Sequence, residues 1–402
     1  MPRPLEGYRI LDLSIWQQGT YATAMLADMG ADVIKIESYE LPDPGRGVGA
    51  ITSPSAERVA YFDALNRGKR SITLNLKNER GKEVFWRLVE GADVFHNNLR
   101  GGAIERLGIT YETLTERNPR IILSSASGWG HLGPERHTGA MDTLAQARGG
   151  FMFATMGPDG TPTPAGFPQA DHVGAIVSGY GIVLALLHRE RSGEGQEVNT
   201  SLYGSQMCIQ SFGITGAMWA GALTPPRGRE DRGPTWTHFE AGDGKWFMIG
   251  ALPPDKWWKQ FCEVMDAPEL AEPPYATTAD RLPRHREIVG KMDEIFKRKS
   301  RDEWVRLFHE RDLLVQPVAD YLEIGADEQA WANGYLVNIA DEVGTEWPIV
   351  GSPVHLSKST ARLDSLGPRF GEHTEAVMLE AGYSWPEIEA LRDAGAFGIP
   401  PD

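Results

Sequence analysis

The apolar positions of the N-terminal half fall into short continuous runs separated by stretches of helical spacing. Tyr8-Arg9-Ile10-Leu11-Asp12-Leu13 reads as a strand. Thr20 to Met29 carries Ala22, Met25, Leu26 and Met29 on one helix face, and Gly30 stops it. Asp32-Val33-Ile34-Lys35-Ile36-Glu37 is a second strand, and two strands joined by one helix form a βαβ unit with parallel pairing. The pattern recurs: strands at Ser71-Ile72-Thr73-Leu74, Ala92-Asp93-Val94-Phe95 and Arg120-Ile121-Ile122-Leu123-Ser124, and a helix from Gly81 to Glu90. This alternation predicts an α/β fold with a doubly wound, Rossmann-like parallel sheet.

Pro162 to Pro168 reads as a loop. Asp171 to Arg189 reads as a helix ended by Ser192-Gly193-Glu194-Gly195, and Gln196 to Leu202 as a returning strand. Pro225 to Pro234 is charged and rich in Gly and Pro, a predicted hinge. Beyond it, Trp246-Phe247-Met248-Ile249 predicts a strand. Lys256–Met265, His285–Lys297 and Arg301–Glu310 predict helices, so 225–325 reads as a smaller α+β domain. Glu372 to Ala394 is again helical in pattern. Trp236, His238 and Trp246 read first as core aromatics of that smaller domain and second as walls of an acid pocket.

Composition narrows the class. At 402 residues the chain exceeds what one hydrophobic core serves, and 41% hydrophobic with 24% charged residues is ordinary globular material. A net charge of −15 argues against nucleic acid or an anionic membrane as partner. Between 41 and 110, however, 11 Lys and Arg stand against 8 Asp and Glu, a net of +3. That surplus is either chance variation on solvated faces or the footprint of a polyanionic ligand. Cys208 and Cys262 are too few for a disulfide framework and match no metal spacing. Met1 to Ile15 has no signal-peptide core, and the apolar run Ala175–Leu187 is too short to cross a bilayer. A cytoplasmic protein with no membrane partner is expected.

Several motifs are weak. Gly128-Trp129-Gly130-His131-Leu132-Gly133 matches G-x-G-x-x-G, but Pro134, Glu135 and Arg136 follow where a helix should open. It reads better as a glycine-rich turn that a substrate approaches closely. The histidines form no H-E-x-x-H and no Cys/His cluster, so no metal site is expected, and no G-x-S-x-G elbow exists. His172 follows Asp171, yet helix neighbours point in different directions. Asp171 precedes a helix, which makes it an N-cap on spacing alone. Against that, Gly174, Gly179 and Gly181 in the same helix leave room for another backbone or a ligand.

An ordered series of segments resembles the family III CoA-transferases. It begins with Leu5-Glu6-Gly7-Tyr8-Arg9-Ile10-Leu11-Asp12 and with Leu26-Ala27-Asp28-Met29-Gly30-Ala31-Asp32-Val33-Ile34-Lys35-Ile36-Glu37. It continues through Asn66-Arg67-Gly68-Lys69-Arg70-Ser71-Ile72-Thr73-Leu74-Asn75-Leu76-Lys77, Arg106-Leu107-Gly108, Asn118-Pro119-Arg120 and Ser127-Gly128-Trp129-Gly130. Asp171 opens a further block that runs through Arg191-Ser192-Gly193-Glu194-Gly195-Gln196. Gly371-Glu372-His373-Thr374 and Ala381-Gly382-Tyr383-Ser384 close the series.

The resemblance implies a large CoA-binding domain built from 1–215 and a returning 330–402. It also implies a small domain inserted between them and an interlocked homodimer. It implies Asp171 as the catalytic carboxylate, with Gln17, Lys77, Asn98, Leu99, Arg100 and Arg106 contacting CoA. The implied activity is a CoA-transferase that moves CoA from an acyl-CoA thioester to a carboxylic acid through an aspartyl intermediate. Coenzyme A thioester would be substrate, and no cofactor would be permanently bound. Arg100-Gly101-Gly102 and Pro164-Ala165-Gly166-Phe167-Pro168 resemble the carnitine and bile-acid branch. Ser38 and Thr20 depart from the formyl-CoA transferase pattern, and that family's glycine-rich loop is not evident near Arg227 to Glu240.

Two alternatives accompany this reading. An α-methylacyl-CoA racemase would need a histidine immediately before an aspartate, and here Met141 precedes Asp142; a thioether cannot move protons. A non-catalytic acyl-CoA-binding paralogue would keep the basic segment without needing Asp171.

Overall fold

The computed structural model describes residues 2–51, 58–157, 159–223 and 228–398. Two compact units divide them: 1–155 with 164–222 and 331–402, and 156–163 with 223–330.

The larger unit is built on six strands: β1 (Arg9–Leu13), β2 (Asp32–Glu37), β3 (Arg70–Thr73), β4 (Val94–Asn97), β5 (Ile122–Ser127) and β6 (Glu197–Ser201). All five pairings are parallel, in the order β3-β2-β1-β4-β5-β6. Successive residues of each strand feed opposite faces. Leu11, Ile34, Ile72 and Phe95 pack with Val84, Phe85 and Leu88 and with the C-terminal Val377, Met378, Ile388 and Leu391. Ile10, Val33, Val94 and Ile122 pack on the other face with Leu26, Ala27, Ile182, Ala185 and Leu186. Both faces are covered over the inner strands, which is why β1, β2 and β4 read as mostly apolar runs, whereas the edge strand β6 is polar and partly exposed.

Among the described residues, nine α-helices precede residue 223 in this unit: α1 (Gln18–Asp28), α2 (Ala60–Asn66), α3 (Glu79–Glu90), α4 (Tyr111–Arg117), α5 (Asp142–Arg148), α6 (Phe151–Ala154), α7 (Gln169–Ser192), α8 (Leu202–Ile209) and α9 (Ser211–Ala220). The chain end returns beside β3, where the His373 N–H donates to the Ser71 carbonyl (2.8 Å) and Thr73 N–H to Thr374 Oγ1 (3.1 Å). The continuous tail helix expected over 372–394 is two helices, Thr374–Glu380 and Trp385–Asp393. Gly382 turns at φ +87° between them, and Ser384 opens a new capping box with Glu387.

Helix α7 is longer than the run 175–187 suggests. At 24 residues it is long and apolar enough, by length and composition, to cross a bilayer. One face (Ala175, Ser178, Ile182, Ala185, Leu186) is buried, while Ile176, Tyr180, Val183, Leu184 and Leu187 are exposed. Its glycines serve packing: a Cβ at Gly174 would come within 2.9 Å of Gln18 Nε2, and one at Gly181 within 2.7 Å of Val198 Cγ1.

The smaller unit holds an antiparallel sheet of Trp236–Glu240, Trp246–Gly250 and Val315–Pro317. Helices Pro254–Val264, His285–Phe296 and Arg301–His309 cover it around Phe239, Phe247, Phe296, Trp304 and Phe308. Trp236, His238 and Trp246 are not core residues. They alternate with the buried Thr237, Phe239 and Phe247 and share the opposite face of the sheet. The hinge expected from Pro225 begins outside the described residues; Arg229–Asp231 forms a short 3-10 turn.

Beneath the C-terminal ends of β1 to β3 lies a buried set of charges. Lys69 Nζ donates to Asp12 Oδ2 (2.9 Å), the Thr20 carbonyl (2.7 Å) and Asn66 Oδ1 (2.9 Å). Lys35 Nζ donates to the Ser14 carbonyl (2.8 Å) and pairs with Asp43 (2.8 Å). Burial alone would raise the Asp12 pKa, but Lys69 and Lys35 hold it well below the usual carboxylate range. Burial brings Lys69 down to about 8 and His96 to about 4. Removing one partner of such a pair leaves the other buried and uncompensated. Lys69→Met is therefore expected to cost about 3 to 5 kcal/mol in urea denaturation, with Asp12→Asn/Lys69→Met recovering part of the loss.

Candidate active site

The order of the strands reverses between β1 and β4, and the segments leaving these two strands part to opposite sides. In open α/β sheets this point opens a crevice beyond the carboxyl ends of the strands. A cavity of about 600 Å³ lies there. The segment after β1 contributes Trp16 and Gln17, the segment after β4 contributes Asn98, Leu99 and Arg100, and α7 contributes Asp171. Gly128, Arg136, Met141, Asp142 and Phe167 complete much of the wall.

The loop after β1 is held in an unusual shape. Trp16 has φ +60°, a left-handed conformation costing roughly 1–2 kcal/mol for an L-residue. Asp43 Oδ1 accepts its N–H (2.9 Å) and that of Gly45 (2.9 Å), so the buried Lys35–Asp43 pair fixes the loop. Asn98 ties the opposite wall to it, Oδ1 accepting from the Ile15 N–H (2.9 Å) and Nδ2 donating to the Ile15 carbonyl (2.7 Å). Gln17 Nε2 donates to His172 Nδ1 (2.7 Å), and Tyr61 Oη donates to Gln17 Oε1 (3.3 Å). His172 is thus a support for Gln17.

Asp171 is not an N-cap. Helix α7 begins at Gln169 after Pro168, which places Asp171 inside the first turn. Its own N–H is capped by a different acid, Asp142 Oδ1 at 3.0 Å, while Asp142 Oδ2 accepts from Gln146 Nε2 (2.5 Å). Among the described residues, the Asp171 carboxylate has no hydrogen-bond donor and no cation partner. Burial first, and the Asp142 charge second, push its pKa from 3.8 to about 7.

Gly128 lines the cavity, but its lack of a side chain answers to packing. A Cβ there would lie 2.1 Å from the Ala140 Cβ. The Gly130 N–H donates to Ser127 Oγ (3.0 Å).

Of the residues singled out from sequence, the cavity brings together Gln17, Asn98, Leu99, Arg100 and Asp171; Lys77 and Arg106 are exposed and outside its lining. Seven of the cations between 41 and 110 are engaged in ion pairs: Arg46, Arg58, Arg67, Lys69, Arg70, Arg80 and Lys82. Arg87 donates to the Ala381 carbonyl (3.0 Å). Lys77, Arg100 and Arg106 have no ion-pair partner among the described residues. Around Gly101-Gly102 the basic groups converge. Arg100 donates to the His137 carbonyl, Arg136 Nε donates to His137 Nε2 (2.9 Å), and a Cβ at Gly102 would lie 3.1 Å from Arg106 Nη1. Sequence reasoning missed Trp16, Tyr61, Arg136 and the capping role of Asp142, none of which belongs to a recognisable spacing. Among the described residues no cluster of three or more His, Cys, Asp or Glu is arranged to hold a metal ion.

A doubly wound sheet with a cavity at its strand reversal, lined by Arg100 and Arg136 and by Asp142 and Asp171, defines an α/β protein with an open crevice at the switch point. The chain belongs to family III of the CoA-transferases, whose family model, CoA-transferase family III, matches residues 5–374. It is 30% identical over 400 residues to the (R)-2-hydroxy-4-methylpentanoate CoA-transferase of Clostridioides difficile, covering 97% of this chain and 98% of that protein. It is 34% identical over 388 residues to the succinate--glutarate CoA-transferase of Agrobacterium fabrum, covering 94% and 95%. The crystal structure of a CAIB/BAIF family protein from Brucella suis superposes with a TM-score of 0.87 at 30% identity, over 95% of this chain and 100% of that one.

The raised pKa has a consequence for stability. Protonated Asp171 stabilises the fold fully below its unfolded-state pKa of 3.8, and that contribution is lost as pH rises through about 7. Asp171→Asn is expected to flatten this fall in unfolding free energy. Asp142→Asn, which removes the like charge, is expected to move its upper end to lower pH. Urea denaturation series across this pH window check both.

Proposed function

We propose that this chain transfers coenzyme A between an acyl-CoA thioester and a free carboxylic acid, with Asp171 as the nucleophile that carries the acyl group. One observation carries the reading: a carboxylate in the first turn of α7 that caps nothing, pairs with no cation among the described residues and faces a cavity at the sheet's switch point. A carboxylate attacks a thioester only when it is positioned and partly desolvated.

The cycle needs no redox partner. The ionised Asp171 oxygen attacks the donor carbonyl and expels CoA thiolate, leaving a mixed anhydride. The thiolate attacks the aspartyl carbonyl, forming aspartyl-CoA thioester and releasing the donor acid. The acceptor carboxylate then attacks that thioester, and the expelled thiolate takes the acceptor acyl group from the second anhydride. Asp171 returns as a carboxylate, with every bond broken matched by one formed and no net proton transfer. No permanently bound cofactor is required, and CoA thioester is the substrate.

Arg100, Arg106 and Arg136 suit the phosphates of CoA, since guanidinium binds phosphate through paired donors. Gln17, Asn98 and Leu99 would border the thioester arm, with Lys77 further out along the ligand. The family relatives named above act on different acids by their names, so family membership leaves the acid open. Met141 lines the cavity where racemisation would need a second base, which speaks against that alternative.

The same reading takes the enzyme as an interlocked homodimer in the cytoplasm. Supporting the dimer, α9 buries none of its residues within this chain, its Phe212 and Trp219 are 93% and 87% exposed, and α7 also leaves Ile176, Tyr180, Val183, Leu184 and Leu187 exposed. Threaded rings do not part on dilution, so sedimentation at nanomolar concentration is expected to show no folded monomer.

Incubation with donor acyl-CoA alone, followed by hydroxylamine or borohydride, is expected to leave the covalent adduct on Asp171. Asp171→Ala should abolish transfer while the chain stays folded and still binds CoA thioester. Retained transfer, or an adduct mapped elsewhere by mass spectrometry, overturns the mechanism. Arg100→Ala or Arg106→Ala should weaken CoA thioester binding by about 1.5 to 3 kcal/mol with little change in stability, read by calorimetry.

A further inference from the structure

The mechanism leaves the imidazole next to Asp171 unused. His172 Nδ1 lies 2.7 Å from Gln17 Nε2 and 3.1 Å from the Pro168 carbonyl oxygen. A neutral ring nitrogen either accepts or donates, so it serves one of these two atoms at a time. The other end of the same amide, Gln17 Oε1, lies 3.3 Å from Tyr61 Oη. His172, Gln17 and Tyr61 thus form a hydrogen-bond relay whose members all belong to one chain, whatever completes the cavity.

The relay has two senses. With Nδ1 bare, Tyr61 donates to Gln17 Oε1 and Gln17 Nε2 donates to Nδ1. With a proton on Nδ1, that nitrogen donates to the Pro168 carbonyl. The amide then keeps its bond to His172 only by turning over, its oxygen toward the ring and its nitrogen toward Tyr61. Tyr61 can serve either sense, because burial first, then the charges of Asp171 and Asp43, push its pKa up and keep it a phenol. The His172 ring is flanked by Tyr21 and Phe167, at 4.8 and 6.4 Å between centroids. Gln17 and Tyr61 line the cavity together with Asp171. The sense of the relay therefore decides where along this wall the amide's spare N–H and spare lone pair lie.

We propose that His172 is a positioning residue for transfer: its bare Nδ1, together with the Tyr61 hydroxyl, holds the Gln17 amide with its nitrogen toward α7, the helix that carries Asp171. The inference rests on the CoA-transfer reading above and gives His172 and Tyr61 a part in it through Gln17. An amide released at either end turns over and presents the wrong atom for part of the time.

Variants of the full chain test this, with acetyl-CoA or succinyl-CoA as donor and a panel of mono- and dicarboxylic acids as acceptors. His172→Leu removes the acceptor and Tyr61→Phe the hydroxyl. Each should lower kcat on the order of 10-fold, with KM for the thioester little changed. His172→Asn can place an amide oxygen near the Nδ1 position and should recover most of the loss. The double variant His172→Leu/Tyr61→Phe should be no slower than the slower single variant, because both act through one amide. An unchanged kcat in His172→Leu, losses that multiply, His172→Asn as slow as His172→Leu, or a loss confined to KM would each overturn the proposal.

Nitrogen-15 NMR of the chain labelled at histidine reads the tautomer with no substrate present, and the His172→Asn spectrum identifies the resonance. Nδ1 is expected to be bare at mildly alkaline pH; a proton on it overturns the relay whatever the kinetics give. If Nδ1 is bare and the wild-type chain turns over none of the acids, the CoA-transfer reading fails and the proposal with it, while the relay stands.

Discussion

Burying charge is the constraint from which the cavity follows. Asp12, Lys35, Asp43 and Lys69 are at most 2% exposed, and each ion withdrawn from water costs several kcal/mol unless its bonding capacity is filled. Here it is filled largely by the backbone of one loop. Lys35 takes the Ser14 carbonyl, Asp12 accepts from the Ser14 N–H (3.0 Å), and Asp43 accepts from Trp16. The loop is therefore pinned at successive residues, which lets Trp16 hold a left-handed backbone that would relax elsewhere. Gln17 follows directly and reaches His172 on α7. A network inside the sheet edge thus sets how the first and seventh helices meet at the site.

A second constraint is the division of work between two acids. The start of α7 offers N–H groups and a positive dipole end, which would normally draw in and satisfy the nearest carboxylate. Asp142 accepts the Asp171 N–H, so Asp171 sits in the first turn with its carboxylate unbonded. Its raised pKa is the measure of that deprivation: burial and a like charge together outweigh the favourable helix end. Deprivation of this kind suits a nucleophile, because a carboxylate already saturated with donors is a poorer one.

The parallel sheet was legible because its inner strands are buried on both faces and so read as mostly apolar runs, as β1, β2 and β4 do. Asp32–Glu37 was bounded correctly for that reason. The helix over 171–189 was recognisable too, but its start was misplaced by two residues, and that offset is what made Asp171 look like a cap. Helices α8 and α9 carried no signal: α9 is apolar all round and buries nothing in this chain, so it lacks the two-faced pattern of a surface helix. The antiparallel pair Leu336–Ala340 and Glu346–Val350 was missed as well, each strand burying a single residue and one interrupted by Pro348. The site was legible in part through family resemblance. The capping role of Asp142 and the contact of Tyr61 with Gln17 were invisible because each joins residues distant in sequence.

Glycine spacing and segment charge both needed the structure before they meant anything. Gly128, Gly174 and Gly181 looked like clearance for a ligand, yet each is filled by a protein atom, from Ala140, Gln18 and Val198 respectively. The surplus of +3 between 41 and 110 looked like a ligand footprint, yet most of its cations are consumed by internal pairs. What can face a polyanion is the remainder after that pairing. Arg100 and Arg106 survive the subtraction, and Arg136, which lies outside the segment and never entered its count, joins them around Gly101-Gly102. The electrostatic character of the rim is therefore a property of which cations the fold leaves unspent, and a tally along the chain cannot supply it.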